Sequence, residues 1–419
     1  MSDSLFSTLT HLKGNPRACV YTEPLWGLSM MLCIPYLSIY MSALGLSDTR
    51  IGFIVTINLL MQIVFSFFSG PITDKMGRKN STAIFDVIAW SIPSLIWWRS
   101  ESFWFFFVAA ILNGATAVTS NSWTCLLIED AEKKQTTKIF SIVIACGQCS
   151  AFFAPITAIL ISKLTLVPAI RLLYINAFVL MTIKIIILYF TSKETKIGVI
   201  RYQESKGKSL FQLAGGYGEV VKIILKSKGM VFSIIIAALT WIVGMINNTF
   251  WQIITNQKLH VPESVLPLFM VLRSILAIIF LFFVIPRLLK GILKKPLLLG
   301  FAAFFIGQTL LILVPSEGML RYPLLILSLV FDGFGLAALT MLCESIISLH
   351  VNPNERARIM AVRLMFVLIV TAPFGWIGGM LSDVSKNLPF ILNMVILVIG
   401  VVIILIYYRR ENDHSAEHT

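Results

Sequence analysis

The apolar positions fall into long unbroken runs separated by short charged breaks. Runs long enough to cross about 30 Å at about 1.5 Å per residue lie at roughly 20–44, 51–69, 81–98, 103–128, 139–162, 168–190, 230–254, 264–286, 297–314, 322–348, 359–381 and 388–408, twelve spans in all. Hydrophobic residues make up 57% of the 419 and charged residues only 13%. A soluble protein of this size cannot hide so much apolar surface, so the pattern predicts bilayer hydrocarbon as the solvent. The expected architecture is an all-α integral membrane protein, with twelve transmembrane helices in two pseudo-symmetric six-helix bundles. Most soluble enzymes and nucleic-acid binders are thereby excluded.

The breaks divide the chain. Residues 1–19 are polar, carry Lys13 and Arg17 and lack a small-residue cleavage site, so they read as a cytoplasmic N-terminal tail and not as a removable signal. The first six-helix bundle then covers 20–190, a central loop 191–229, the second bundle 230–408 and a C-terminal tail 409–419. With twelve spans both termini share a side. The N-terminus, alternate loops and C-terminus hold 24 Lys and Arg against 7 on the opposite side. Cytoplasmic loops carry the excess of basic residues, so both termini are expected in the cytoplasm of a multi-pass protein of the cell (plasma) membrane. The net charge of +13 is therefore a topology signal and not a footprint for nucleic acid. Within the central loop, Leu210, Phe211, Leu213, Val220, Val221, Ile224 and Leu225 can form an amphipathic helix on the leaflet surface, interrupted at Gly215-Gly216, or simply part of a solvated linker.

Chemistry-bearing residues are sparse. The six cysteines lie in or beside apolar spans, and all five histidines fall outside them. Cys146-x-x-Cys149 has metal spacing but no second Cys/His pair, so no metal is expected. No Walker-type phosphate loop and no nucleophile–base–acid set is present, which argues against an enzyme and against any cofactor.

Half-length repeats are a common transporter construction. Trp26 and Trp241, Asp48 and Glu263, and Asn58 and Arg273 are each 215 residues apart. Asn113-Gly114 and Asp332-Gly333 are 219 apart, and Ala154-Pro155 and Ala372-Pro373 are 218 apart. Offsets this steady fit two homologous halves with a small insertion.

Between spans two and three the chain reads Gly70-Pro-Ile-Thr-Asp74-Lys75-Met-Gly77-Arg78-Lys79, after Leu46-Ser-Asp48-Thr-Arg-Ile-Gly52 at the entry to span two. The first segment resembles the G-x-x-x-D-(R/K)-x-G-R-(R/K) loop of the major facilitator superfamily, and the second resembles that family's second-helix entry. The resemblance in architecture covers about residues 20–408. It implies a transporter in which Asp74 contacts the cytoplasmic start of span eleven, where Arg356, Arg358 and Arg363 stand. Glu129 and Asp130, ending span four, become candidate partners for Arg78. Gly70, Asp74, Gly77, Arg78, Glu129 and Arg363 are thus the candidate cytoplasmic gate. The counterpart loop, Arg287 to Lys295, lacks the aspartate and the glycines, so the latch is expected on one half only.

An ionisable group near the bilayer centre costs several kcal/mol unless paired or hydrated. Arg273 lies about nine residues into span eight and Asp332 about ten into span ten, so both sit ~14–15 Å deep. Two readings stand for this pair: Asp332 exchanges a proton, or a substrate cation, with Arg273 as competing partner, or the two form a permanent structural bridge. Glu23, followed by Pro24, reads as an interfacial cap, and Asp86 with Lys184 as a mutual pair or snorkelling residues. Neutral recognition groups are available in Tyr36, Asn58, Asn113, Asn247, Asn248 and Trp251, with Gln62, Trp123, Gln148 and Gln252 nearby in the pattern. Amides beside aromatic rings suit a sugar-like, nucleoside-like or mixed polar and aromatic small molecule.

The expected function is secondary active transport of a small organic solute, coupled to protons, by alternating access in a monomer among membrane lipids. Uptake by symport is favoured over drug/proton antiport. Drug antiporters of the family resembled carry G-x-x-x-G-P-x-x-G-G in span five, whereas this chain has Gly147-Gln-Cys-Ser-Ala151 and Ala154-Pro155, without most of those glycines. A non-transporting receptor would need a large soluble loop or tail for signalling, and neither is evident.

Overall fold

In the computed structural model the structure describes residues 5–132, 135–215, 217–288, 293–350 and 356–416. All regular structure among them is helical. Eleven helices are long and apolar enough to cross a membrane: Gly14–Ala43, Asp48–Met76, Phe103–Ile128, Thr136–Leu164, Leu166–Thr191, Lys228–Lys258, Leu266–Val284, Lys294–Leu313, Arg321–Cys343, Val362–Val384 and Leu388–Arg409. The remaining expected span, the third, is also helical and runs as Arg78–Asp86, Val87–Ser91 and Ile92–Trp98. Its serines and Asp86 make it less apolar than the rest. These helices are called spans one to twelve below.

The helices form where their backbone hydrogen bonds must be satisfied internally, since lipid offers no partner. Breaks in the ladder are local. Span one is interrupted by a 3-10 turn, Ile34–Tyr36, that starts at the proline of Ile34-Pro35. Wide π turns occur at Val87–Ser91 in span three, Ile254–Lys258 in span seven and Phe280–Val284 in span eight. Such turns leave carbonyls without their usual i+4 donors and commonly sit at functional positions.

The chain forms two compact units. Unit 1 holds residues 1–46 and 57–216. Within it span one packs on spans six and five, and span three on span four. Unit 2 holds residues 47–56 and 217–419. Here span nine packs on spans ten and twelve, and span seven on spans ten and eleven. The first turns of span two therefore belong to unit 2 and the rest of that helix to unit 1.

The central loop is structured. Lys196–Glu204 is a helix whose start is capped by Thr195, which accepts a hydrogen bond from Gly198 N at 2.8 Å. The amphipathic segment forms two short helices, Leu210–Leu213 and Tyr217–Lys226, with Gly216 outside the described residues. Val220 and Ile224 pack with Met230, Ile359 and Val362. Part of the apolar face is thus covered by protein, and Phe211 and Leu225 stay exposed.

Candidate functional site

The Gly70–Lys79 motif closes on itself and on the central loop. Gly77 sits at φ 81°, a left-handed conformation that costs a residue with a side chain. A Cβ there would also meet the Glu194 carboxylate at 2.5 Å. This turn starts span three beneath Glu194, whose Oε1 and Oε2 accept from the backbone N–H of Arg78 at 2.9 Å and Lys79 at 3.1 Å. A carboxylate is well placed there, because the first N–H groups of a helix lack partners and carry partial positive charge. The Arg78 guanidinium donates to Asp74 Oδ1 at 2.8 Å and to both Glu129 oxygens at 3.1–3.2 Å. Thr195 donates to the other side of Glu129. Asn15 ties the same end together, donating to Asp130 at 3.0 Å and to Lys193 O at 2.9 Å.

Asp74, Arg78 and Glu129 are thus one network in unit 1, joined by Glu194 and Thr195. Arg363 belongs to unit 2, where its guanidinium meets Met360 Sδ at 3.9 Å. The side chains of Arg356 and Arg358, and residues 289–292 of the counterpart loop, fall outside the described residues. The Arg78 side chain is 6% exposed and that of Glu129 12%. Removing one partner of such a pair leaves the other charge buried. Arg78→Ala is expected to lower stability by about 3–5 kcal/mol, read as a fall in the unfolding midpoint of purified protein in detergent. Adding Glu129→Ala should recover part of that loss, because it removes the stranded charge. A single variant as stable as the native chain would rule out this role.

Deeper in unit 1 the amides bond to one another. Asn58 Nδ2 donates to Asn113 Oδ1 and to Ala110 O, both at 3.1 Å, and its Oδ1 accepts from Gln62 at 2.7 Å. Asn113 Nδ2 donates at 2.8 Å to Ala89 O, in the π turn of span three. Asn58 and Asn113 therefore join spans two, three and four, with their hydrogen-bonding capacity largely met. Nearby, Lys184 Nζ lies 3.3 Å from Asp86 Oδ2, while Thr119 donates to Asp86 Oδ1. Tyr36 is fully buried and its hydroxyl has no partner among the described residues.

Unit 2 differs. Asp332 in span ten is 3% exposed. Its Oδ1 accepts from Gln308 Nε2 at 2.9 Å and its Oδ2 from Asn247 Nδ2 at 3.4 Å. Gln308 Oε1 in turn accepts from Asn393 Nδ2 at 3.0 Å. Spans seven, nine, ten and twelve thus converge on one carboxylate through neutral amides. Arg273 is not among its hydrogen-bond donors. The guanidinium lies over the ring of Trp251, 4.4 Å from its centre, and its Nη2 is buried without a partner. Asp332 acts on it only through space. Trp251 is fully buried and packs edge-on against Phe269. Its indole N–H, Asn247 Oδ1 and both amide atoms of Gln252 also lack partners among the described residues. Asn248, next to Asn247, turns to the exposed side of the helix.

At the other end of span two, unit 2 contains a polar seam. Asp383 Oδ1 and Oδ2 accept from the N–H groups of Asp48 at 2.9 Å and Thr49 at 3.0 Å, capping the helix start. The Asp48 side chain accepts from Lys386 and Ser382. Thr56 Oγ1 donates to Ala372 O at 2.7 Å and accepts from Trp376 N at 2.9 Å. A hydroxyl has thus inserted into one rung of the span eleven ladder, beside Pro373. Between these contacts the helices nearly touch: a Cβ on Gly52 would lie 2.2 Å from Gly375 O.

With the site described, kinship can be read. The family model of the Major Facilitator Superfamily matches residues 25–290 and 233–419. The chain belongs to this superfamily. It is therefore a membrane transporter and not an enzyme. Among curated relatives, the tetracycline resistance protein, class B, of Escherichia coli is 23% identical over 344 residues, covering 80% of this chain and 79% of the relative. The uncharacterized MFS-type transporter YqjV of Bacillus subtilis (strain 168) is 28% identical over 131 residues, 31% of this chain. Quinolone resistance protein NorA of Staphylococcus aureus is 27% identical over 119 residues, 28% of this chain. The chain spans only about a third of the length of these last two, 32% and 30%. In fold, the crystal structure of the nucleoside transporter NupG superimposes with a TM-score of 0.71 at 16% identity, covering 95% of this chain and 99% of that one.

The main residues that sequence reasoning missed are Gln308 and Asn393 at the carboxylate, Glu194 and Thr195 at the motif, and Ser382, Asp383 and Lys386 in the seam. A lone amide in an apolar span was the available signal for the first two.

Proposed function

We propose that the protein is a proton-coupled secondary transporter of a small organic solute, working as a monomer by alternating access, with Asp332 as the proton carrier. The observation that supports this most is a carboxylate deep in an apolar helix whose hydrogen-bond partners are two amides and no cation. Amides can hold either protonation state, because each offers both a donor and an acceptor. Such a group can take and release a proton without a fixed ion pair breaking. Arg273, Trp251 and Asn247 are the candidate solute contacts of unit 2, and Tyr36 is a separate candidate in unit 1. Asn58 and Asn113 act in this reading as positioning residues, and Asn248, exposed on span seven, is a further candidate solute contact. Asp74, Arg78 and Glu129, with Gly70 inside span two and the turn at Gly77, serve the cytoplasmic gate in unit 1, and Arg363 serves it in unit 2.

Transport proceeds by alternating access in the two halves at 20–190 and 230–408, and the seam of spans two and eleven lies on the outer face. In this reading the protein lies in the plasma membrane with both termini in the cytoplasm, the side favoured by the excess of basic residues, 24 against 7. A reporter tag inserted at residue 205 is expected to read as cytoplasmic and one at Lys386 as external; a tag at 205 reading as external would invert this orientation.

Uptake with a proton is the direction favoured. The similarity to two resistance proteins favours a second reading, efflux of drugs in exchange for protons. Proteoliposomes separate the two when loaded with a pH dye and given a candidate solute outside. Symport acidifies the lumen as solute enters, and antiport alkalinises it. Absence of any proton movement with every transported solute would sink proton coupling.

A further inference from the structure

The guanidinium of Arg273 is the most exceptional group in unit 2. It carries five N–H donors, yet none has a hydrogen-bond or ion-pair partner among the described residues. Its Cζ lies 4.4 Å from the centre of the Trp251 ring, a contact that uses none of the donors. A cation left unpaired in a membrane helix, with its Nη2 buried, is costly. The residue that could neutralise it, Asp332, has its two oxygens engaged by Gln308 and Asn247. Arg273 is also the one charged group that acts on Asp332, the other contacts being neutral amides from spans seven and nine. Trp251, under the guanidinium, has an indole N–H without a partner among the described residues, as do Asn247 Oδ1, one helical turn before it, and the amide of Gln252 on the same span.

We infer that this site takes its solute by an anionic group, a carboxylate gripped by the open fork of Arg273, with the rest of the molecule against Trp251 and the unmet amides. The inference deepens the proposed function and rests on unit 2 holding the transport site. Planar carboxylates match the guanidinium fork with two parallel hydrogen bonds. A cationic solute would be repelled by Arg273, and a neutral one would leave it uncompensated. The same geometry supplies coupling. A carboxylate on Arg273 cancels the positive charge that favours ionised Asp332, so Asp332 binds a proton from water. One anion and one proton then move together with no net charge, which is symport.

The test uses the purified whole chain and three matched probe sets: benzoate, benzamide and benzylamine; indole-3-acetate, its amide and tryptamine; and phenylacetate with its amide and amine. Binding is read by thermal shift and by quenching of tryptophan fluorescence. At least one carboxylate is expected to bind tenfold or more tightly than its amide and amine. Arg273→Gln should remove that preference, and Arg273→Lys should keep part of it. Proton uptake on carboxylate binding, read from the buffer dependence of the heat, should vanish in Asp332→Asn. An amine or amide binding as well as its carboxylate in the native protein overturns the inference, as does failure of all three carboxylates; neither comparison depends on a variant folding. Should carboxylates bind without proton uptake, the anion site stands and proton coupling through Asp332 falls. If protons instead accompany a solute that is not an anion, the coupling stands and the anion site falls.

Discussion

Asp332→Asn is expected to abolish accumulation of solute against its gradient, while exchange of labelled for unlabelled solute continues. The amide has almost the same shape as the carboxylate it replaces. It can still face Gln308 and Asn247, since its oxygen accepts from Gln308 and Asn247 can turn its Oδ1, which has no partner among the described residues, toward the new donor. The convergence of spans seven, nine, ten and twelve should therefore survive, and with it the folded transporter. What the amide cannot do is bind and release a proton near neutral pH. Without that step the solute gradient has no coupling to the proton gradient, and accumulation should fall at least tenfold, to the level outside. Counterflow needs only binding and rocking and should remain within about twofold of native. Vesicles with an imposed pH difference and labelled solute give both readings. Uphill transport by the Asn variant with unchanged pH dependence would make Asp332 a structural residue.

A disulfide across the seam should stop transport outright. Asp48 and Ser382 touch through their side chains, and the helices around them approach to backbone contact at Gly52 and Gly375. The pair Asp48→Cys with Ser382→Cys is expected to cross-link under mild oxidation, with transport lost by tenfold or more and restored by dithiothreitol. The physical reason is alternating access: a solute enters from one face only if the helices closing that face separate. Five hydrogen bonds and one ion pair can break and re-form within such a cycle, whereas a covalent bond cannot. Each single-cysteine variant, treated with the same oxidant, controls for the six native cysteines. Full activity in the cross-linked protein would mean that the seam stays shut throughout transport.

Both experiments depend on residues that the sequence made visible to different degrees. Asp332 and Arg273 stand out in any reading, because a charge inside an apolar run is conspicuous. Their lack of a direct hydrogen bond or ion pair was not legible. Matched depth places two residues at one level of the bilayer, but the rotation of each helix about its axis decides whether their side chains meet. Here Asp332 turns to spans seven and nine, and Arg273 lies over Trp251. In the first half the repeat positions do meet, as Asn58 donates to Asn113. The seam was nearly invisible, since Asp48, Ser382, Asp383 and Lys386 lie at span ends where polar residues are ordinary.

The sequence by itself determined the solvent, the number and rough limits of the spans, and the family. These follow from local quantities: run length against bilayer thickness and a ten-residue motif whose glycines shape a tight turn. It also exposed which charges needed an explanation. The tertiary structure alone decided which polar groups satisfy one another. Glu194, more than a hundred residues away in the chain, caps span three. Gln308 and Asn393 reach Asp332 from two other spans, and Arg273 keeps its donors open. Hydrogen bonds need atoms within about 3 Å and a defined angle, and neither hydropathy nor spacing along the chain carries that information.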